Sequence, residues 1–332
     1  MHRISLGIDT SNYKTSVAMV NQEGRILCNL QKYLEVKKGE RGLRQSVALF
    51  QHVNNLPQLI EEAFSSLGGT GTPAEIGCIS VSARPRPVEG SYMPCFQAGL
   101  SSARQLAAAL KVPCYTFSHQ EGHIEAVRFG SPLEKSRRFI SFHFSGGTTE
   151  ALLAEEGSAS WDLGITIVGG SKDLALGQVL DRTGVAMGME FPCGQAMDHM
   201  VRGLEPTCPK DNLLPKIKCQ DGLINLSGIE TKCQRLLGQV PRQELTLMLF
   251  TRLAEAVADM SSQLSDIYNT KDILFAGGVS ASRFIRDYLS KALAGLHICF
   301  GEPALCTDNA VGIALLGGKK YGSEACNSFT TE

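Results

Sequence analysis

The stretch ISLGIDTSNYKTSVAMV, residues 4–20, contains the pattern that decides the fold. An apolar segment, LGID, is followed by the polar turn TSNYK and by a second apolar segment, TSVAMV. This order predicts a strand, a tight turn and a second strand. A third strand is predicted at Arg25–Leu30.

The same pattern begins again in the middle of the chain. Phe139–Phe144 predicts a strand, SGGTT at 145–149 a tight turn, and Glu150–Ala154 the returning strand. A third strand is predicted at Trp161–Val168. Two similarly wired α/β lobes create a cleft between them, a preferred place for a ligand.

These repeats predict an N-terminal lobe at residues 1–130 and a C-terminal lobe at 131–332. Residues 172–242 are poor in strand signal and are interpreted as a helical insertion. A last helix after Asp308 is expected, and it can pack back on the N-terminal lobe. Apolar spacing predicts a helix over Leu43–Leu67, broken near Pro57.

Composition excludes several classes of protein. The chain has 332 residues, a formal net charge of -1 and 43% hydrophobic residues, which is typical of a globular protein without a global positive field. No apolar run approaches the ~20 residues that span a bilayer. The 11 cysteines are scattered without a CxxC pair, which favours free thiols in a reducing cytoplasm.

The sequence HQEGH, His119–His123, is the strongest local signal for chemistry. Residues four apart on a helix share one face, so both imidazoles can converge on one metal ion. The alternative is that two histidines near a helix start cap it or form hydrogen bonds. A metalloprotease is not favoured, because HEXXH needs Glu directly after the first His.

Further candidates lie at turns. Asp308, in CTDN before the last helix, either caps that helix or completes a set of two histidines and one carboxylate with open coordination positions. The turn Ser145–Thr149 and the stretch GGVS at 277–280 either form simple turns or place backbone N–H groups against a phosphate.

Taken together and in order, these motifs resemble the TsaD (Gcp) family, the enzymes that make threonylcarbamoyladenosine in tRNA. The resemblance extends over nearly the whole chain and rests on LGIDTS (6–11), HQEGH (119–123), FSGGTT (144–149), GQVLDRTG (177–184), FPCG (191–194), NLSG (225–228), AGGVSAS (276–282) and CTDNA (306–310). It implies a two-lobed actin-like ATPase fold (ASKHA, a duplicated RNase H-like fold), with nucleotide and metal in the interlobe cleft.

The resemblance also implies a site. One divalent metal ion, iron or zinc, would be held by His119, His123 and Asp308. ATP, ADP or an acyl-adenylate would be bound by the following residues: Ser145, Gly146, Gly147, Thr148, Asp181, Gly194, Gly277, Gly278 and Ser282. The implied partners are a nucleotide, tRNA, and a TsaB-like protein or a second copy of the chain, with no membrane.

Some positions depart from the family. Its Thr-Ser-Cys-Asp-Glu-Thr run is here Thr10–Thr15, so Tyr13 and Lys14 replace an acidic pair and become the candidate catalytic residues. Thr148 replaces a His, and Ser282 replaces an Asn that contacts the nucleoside. Lys14 either binds an anion or is a solvated charge.

A glycine-rich stretch of the family is here ARPRPVEG, 83–90, in which Arg84 and Arg86 either clamp an anion or remain solvated. The first hypothesis is an acyl (carbamoyl-type) transferase, acting on tRNA adenosine or on another acceptor. The second is a nucleotide-binding subunit without catalysis. An endopeptidase is disfavoured.

Overall fold

Two β-sheets organise the chain, and each lies at the centre of its own unit. The computed structural model describes residues 3–11, 13–36, 43–67, 75–159, 161–207, 213–302 and 304–329. The first unit comprises residues 1–129, 156–163 and 307–332, and the second comprises 130–155 and 164–306. The first unit is therefore assembled from three separate stretches of the chain.

The first unit has a five-stranded sheet. Its order is β3-β2-β1-β4-β5, with β2 antiparallel to its two neighbours and β4 parallel to β1 and β5. Its helices are α1, α2, α3 and α9. The bounds are β1 Arg3–Asp9, β2 Lys14–Asn21, β3 Ile26–Tyr33, α1 Gln45–Leu67, β4 Glu75–Arg84, α2 Phe96–Leu110, β5 Cys114–Ser118, α3 His119–Arg128 and α9 Val311–Phe329.

The second unit repeats this wiring. Its seven-stranded sheet has the order β12-β11-β6-β7-β8-β10-β9, in which β6 pairs antiparallel with β7 and parallel with β11. The bounds are β6 Arg138–Phe144, β7 Thr149–Glu156, β8 Leu163–Ser171, α4 Leu176–Ala186, α5 Gly194–Val201, β9 Cys219–Gln220, β10 Leu223–Ile224, α6 Ser227–Leu236, α7 Arg242–Tyr268, β11 Asp272–Ala276, α8 Arg283–Ala292 and β12 His297–Phe300.

The last helix, which the sequence analysis placed in the C-terminal lobe with the expectation that it can pack back on the N-terminal lobe, is part of the first unit. Gly317 lies against Ser5 and Ser80 of the first sheet, where a Cβ atom would meet the Ser80 Oγ at 1.6 Å. The segment 156–163 joins the same unit because the Trp161 indole N–H donates to Ser323 Oγ of α9 at 3.0 Å.

The predicted break in α1 is wrong, because the helix runs through Pro57 without interruption. Proline removes the N–H that would bond to the carbonyl of Val53, four residues earlier. Both Pro57 and Val53 are exposed, so water can satisfy that carbonyl. The region 172–242, interpreted as helical, also contains two short strands, of which β10 pairs with β8.

Candidate metal centre and nucleotide site

The helix α3 begins where the sequence places HQEGH. Ser118 caps it: the backbone N–H of Glu121 donates to Ser118 Oγ at 3.2 Å, and the backbone N–H of Ser118 donates to Glu121 Oε2 at 2.6 Å. This reciprocal capping box satisfies the start of the helix. The two histidines are therefore not needed as caps. Their rings lie on one face, with centroids 4.3 Å apart.

Two glycines bring α9 close to α3. A Cβ atom on Gly312 would meet the carbonyl oxygen of Gly122 at 1.8 Å, and one on Gly122 would meet Ile313 Cδ1 at 2.7 Å. Only glycine permits so close an approach of two backbones. The contact places the residues that precede α9 beside the two histidines.

Asn309 caps α9, so Asp308 is not used for this purpose. The backbone N–H of Val311 donates to Asn309 Oδ1 at 2.9 Å. The Asp308 carboxylate instead faces the histidines: its Oδ1 lies 3.1 Å from His123 Nε2 and 3.5 Å from His119 Nε2. The Asp308 carboxylate thus lies where it could bind a metal ion together with the two histidines.

The three side chains form a suitable donor set for a metal ion. One ligand atom from each of His119, His123 and Asp308 lies within 4.8 Å of the others. Two imidazole nitrogens and one carboxylate oxygen suit zinc or iron, and three protein ligands leave coordination positions open for a substrate. His119 and Asp308 are each 19% exposed, so the centre is reachable from solvent.

Asp9, at the end of β1, forms a hydrogen bond with the ring nitrogen of His119 that does not face Asp308. The ring Nδ1 of His119 donates to Asp9 Oδ2 at 2.8 Å, and Asp9 Oδ1 accepts the backbone N–H of Ser11 at 2.7 Å and also its hydroxyl. A carboxylate on the far nitrogen fixes the imidazole so that its other nitrogen points at the metal position.

The charged groups of the candidate centre shift one another's pKa values. Burial lowers the pKa of His119, but Asp9 and Asp308 outweigh burial and raise that pKa to about 10. Burial and the neighbouring His119 lower the pKa of His123. Burial raises the pKa of Asp9, but His119 outweighs it and keeps that pKa below its ordinary value. Without a metal, one imidazolium lies between two carboxylates, and a metal ion would displace its proton.

Tyr13 and Lys14 replace the acidic pair of the family. Among the described contacts, Lys14 is bonded to a residue next to a candidate metal ligand. Its side chain is buried, and Nζ donates to Thr307 Oγ1 at 2.9 Å, beside Asp308. Tyr13 is 39% exposed, and its hydroxyl forms no hydrogen bond with the described residues. Arg84 and Arg86 are exposed, although the backbone N–H of Gln120 donates to the carbonyl of Pro85 between them at 3.1 Å.

In the second unit, the predicted phosphate turn is compact. Ser145 Oγ accepts the backbone N–H groups of Thr148 at 3.0 Å and of Gly147 at 3.3 Å. Gly146 and Gly147 are exposed, and a Cβ atom on either would meet no other atom within 4 Å. The turn therefore has open space above its backbone, but the Ser145 hydroxyl is already engaged within it.

Backbone conformation explains the glycine at 277. Gly277 has a φ of 88°, and a Cβ atom there would meet the carbonyl oxygen of Phe144 at 2.3 Å. Gly278 then begins a 3₁₀ turn, Gly278–Ala281, and faces open space. The pair thus adjoins the end of β6, from which the turn at Ser145 starts.

Asp181 and Gly194 lie close together, as a shared nucleoside site requires. Asp181 Oδ1 accepts the backbone N–H of Cys193 at 2.7 Å. Burial nevertheless raises the pKa of Asp181 above its ordinary value. Beside Gly194 the space is open. Ser282 is engaged elsewhere: its hydroxyl donates to Asp198 at 2.5 Å and accepts the N–H of Ile285 at the start of α8.

Comparisons with known proteins show which family the chain belongs to. The family model described as tRNA N6-adenosine threonylcarbamoyltransferase (TsaD) matches residues 26–315. A protein of that name from Dictyoglomus turgidum is 29% identical over 330 residues, covering 96% of this chain and 93% of the relative.

Solved structures share the fold. Component A of the Acidaminococcus fermentans (R)-2-hydroxyglutaryl-CoA dehydratase has a TM-score of 0.56 at 12% identity, covering 96% of this chain and 99% of its own. A ROK family glucokinase from Streptomyces griseus has a TM-score of 0.51 at 13% identity, covering 96% and 99%.

The fold is thus an α/β fold of the actin-like ASKHA class, as the sequence predicted. Within that class, the chain belongs to the TsaD family. Among the described residues, no helix is both long and apolar enough to cross a bilayer.

Sequence reasoning missed the role of Asp9. The residue lies in the LGIDTS motif, but 110 positions separate it from His119, and no local spacing relates the two. The available signal was an acidic residue at the end of the first strand, directly before a polar turn. Such strand ends meet at one edge of a sheet and often carry functional side chains.

Proposed function

We propose that this chain is a metal-dependent acyltransferase that transfers a threonylcarbamoyl group to N6 of an adenosine in tRNA. Membership of the TsaD family supports a transferase of this kind. The observation that carries the proposal is the convergence of His119, His123 and Asp308, whose ligand atoms lie within 4.8 Å of one another. A chain that only needed to fold would have no use for such an open donor set.

The residues of the candidate centre would have two tasks, binding the metal ion and orienting one of its ligands. His119 Nε2, His123 Nε2 and Asp308 would hold zinc or iron, and Asp9 would orient His119 through its Nδ1. A bound ion would act as a Lewis acid on the carbonyl oxygen of the acyl group.

The nucleotide part of the donor is assigned to residues of the second unit. Exposed backbone at Gly146, Gly147 and Gly278 can approach a phosphate closely, because no side chain intervenes. Asp181 can accept hydrogen bonds from two ribose hydroxyls, with Gly194 leaving room beside it. Support comes from the glucokinase neighbour, which was solved with AMPPNP.

The reaction balances without an added oxidant or reductant. The N6 amine of adenosine attacks the carbamoyl carbon of the donor, a new C–N bond forms, and the acyl–oxygen bond to phosphate breaks. AMP leaves with the electron pair of that bond, and the amine proton passes to solvent. No nucleophile from the protein is required, so the tasks of the protein are binding and orientation. We place this reaction in the cytoplasm, where the free thiols of the described cysteines would stay reduced.

A second candidate is the same kind of transfer to a different acceptor. It is favoured by Lys14, a buried cation beside Asp308 where the family carries an acidic residue. The two candidates share the metal centre and differ in the acceptor.

A reconstituted reaction tests the proposal. The mixture contains ATP, bicarbonate, threonine, a threonylcarbamoyl-adenylate synthase, unmodified tRNA and this protein, and modified adenosine is measured by mass spectrometry. We expect product with the wild type and with the control variant His199→Ala, whose histidine lies on α5 in the second unit. We expect no product with His119→Ala, which removes one metal ligand.

The outcome of this reaction also distinguishes the two candidate functions. Product from His119→Ala at the wild-type rate would refute the metal-dependent mechanism. No product with the wild type, but product after the double change Tyr13→Asp and Lys14→Glu, would instead support transfer to another acceptor.

A further inference from the structure

Lys14 is a buried cation that has no negatively charged partner among the described residues. Its side chain is only 5% exposed, at the first residue of β2. Nζ donates to Gln31 Oε1 at 3.0 Å and to Thr307 Oγ1 at 2.9 Å, and it lies 4.7 Å from the centre of the Tyr33 ring. All three partners are neutral, and within the described part of the chain no carboxylate forms an ion pair with Lys14. Buried ammonium groups are ordinarily paired with an anion.

The position of this cation connects it with the metal centre. Thr307, which accepts one of its hydrogen bonds, directly precedes Asp308. A divalent ion bound by His119, His123 and Asp308 would be neutralised by the carboxylates of Asp308 and Asp9. The positive charge of Lys14 would then remain uncompensated next to the bound ion. An anion supplied by the substrate would complete the charge balance.

We propose that Lys14 binds an oxyanion of the acyl donor, a carboxylate or a phosphate, beside the metal centre. The inference rests on the proposed function for the identity of the donor, which carries both kinds of group. A lysine ammonium is compact and has three donors, which suits a single oxygen atom as its target. Gln31 and Thr307 hold the ammonium in place through two of these donors.

The alternative is a purely structural Lys14 that only ties β2 to β3 and to Thr307. The two roles differ in a measurable way. A structural lysine contributes to folding, but its removal would leave anion binding unchanged. An anion-binding lysine controls the affinity of small anions even where the fold remains intact.

Isothermal titration calorimetry with defined probes distinguishes these roles. The full-length protein, with and without zinc, is titrated with inorganic phosphate, with N-carbamoyl-threonine and with the uncharged methyl ester of the latter. The variants are Lys14→Met and Lys14→Arg, and Lys14→Gln replaces Lys14→Met if that chain does not fold. The matched control is Lys32→Met, on β3 of the same sheet, whose exposed ammonium donates to Gln58 Oε1 at 3.0 Å.

We expect Lys14→Met to weaken binding of at least one anionic probe about 10- to 100-fold, the loss typical of one hydrogen bond to a charged group. Lys14→Arg should stay within about threefold of the wild type because it keeps the charge. Lys32→Met should do the same because it removes an exposed ammonium that bonds to Gln58. Loss of N-carbamoyl-threonine binding alone identifies a carboxylate site, and loss of phosphate binding alone identifies a phosphate site. The methyl ester should bind equally weakly to all variants if a carboxylate is bound.

Equal affinity of Lys14→Met and the wild type for both anionic probes would overturn the inference. Absence of binding of both probes to the wild type at millimolar concentrations would overturn it as well. The proposed function can fail while the anion site stands. If the wild type makes no modified adenosine but binds an anionic probe that Lys14→Met no longer binds, the anion site is retained and the proposed function is refuted.

Discussion

Asp9 shows how much of the proposed metal centre would depend on a residue that is not itself a candidate ligand. Its carboxylate is buried, accepts a hydrogen bond from His119 and is itself held by Ser11. The His119 ring is therefore fixed in one orientation before any ion arrives. This preorganisation should increase the affinity for the metal.

Replacing Asp9 by Asn should weaken zinc binding about 10- to 100-fold, the range found for partners of ligating histidines. The amide can accept one hydrogen bond, but it cannot stabilise the orientation of the ring by charge. Affinity is measured by competition with a coloured chelator. Asp266→Asn, in the last turn of α7, serves as the control. Unchanged affinity in Asp9→Asn would show that His119 does not need this partner.

At the residue scale, sequence predicted part of the centre. The spacing of His119 and His123 was sufficient to place both rings on one face of a helix. Asp308 came from the family resemblance, and Asp9 was missed, because contacts between distant parts of the chain depend on the packing of α9 against α3 and β1. The buried state of Lys14 was equally unpredictable, because its neighbours Gln31 and Thr307 come from two other segments.

At the scale of helices and strands, the contact between α3 and α9 determines where Asp308 lies. The backbones approach so closely that a Cβ atom on Gly312 would meet the Gly122 carbonyl oxygen at 1.8 Å. Any side chain at Gly312 would push α9 away from α3. Asp308, three residues before the start of α9, would move with the helix.

The substitution Gly312→Ala should therefore destabilise the protein by about 1–3 kcal/mol or more. It should also weaken zinc binding. The control is Gly322→Ala on the same helix, where a Cβ atom meets nothing within 4 Å, and which should stabilise by up to about 1 kcal/mol. Urea unfolding and zinc titration measure both effects. If the two variants behave alike, close packing at Gly312 is not what positions α9.

Asp173 organises the start of α6 in the second unit. Its carboxylate accepts the backbone N–H groups of Leu226 at 2.7 Å, of Ser227 at 3.0 Å and of Leu174 at 2.7 Å. Burial opposes ionisation, but these hydrogen bonds outweigh it and hold the pKa of Asp173 well below its ordinary value of 3.8. A group whose pKa is lower in the folded state stabilises the fold at pH values above its ordinary pKa. This stabilisation is lost as the pH falls from the ordinary pKa towards the folded-state pKa.

Asp173→Asn should consequently lower the free energy of unfolding by about 1 kcal/mol at pH 7, because the amide has one acceptor oxygen instead of two and carries no charge. The difference from the wild type should shrink as pH falls below about 4, where the Asp173 carboxyl of the unfolded wild type begins to take up protons while that of the folded protein is still ionised. Urea unfolding at several pH values measures it. A difference that stays constant from pH 7 to pH 3 would show that charge at Asp173 is unimportant.

Sequence predicted most of the elements but not which side of α1 is buried. Val47, Phe50 and Val53 supported the helix by their spacing, yet they are 42%, 67% and 52% exposed. The buried side carries Ala48, Leu56, Leu59 and Ala63, and between them the polar residues His52 and Asn55, both hydrogen-bonded to Thr15 Oγ1 of β2. Hydrophobic periodicity cannot detect a helix face that is buried through a polar cluster.

At the scale of the whole molecule, all candidate metal ligands belong to the first unit. They come from the middle and the end of the chain, and Asp9 comes from its beginning. A bound ion therefore connects segments that lie far apart in sequence, and its free energy of binding adds to the stability of that unit.

Adding zinc at about 100 times its Kd should stabilise the first unit by about 2.7 kcal/mol. Hydrogen exchange followed by mass spectrometry should show slower exchange in α3, in α9 and in the strand β1. Peptides from α6 and α7 should be unaffected, and they form the internal control. Equal protection in both units would indicate zinc binding elsewhere, and treatment with a chelator should reverse the specific effect.

The division of the first unit among three stretches of chain also determines when its centre can form. A ribosome synthesises His119 and His123 long before it reaches Asp308, and among the described elements of the first unit α9 is synthesised last. The nascent protein therefore presents two histidines without their carboxylate until Asp308 has been added. Capture of the proposed metal ion would be a late event in the life of the molecule, because it would have to wait for all three stretches of the first unit.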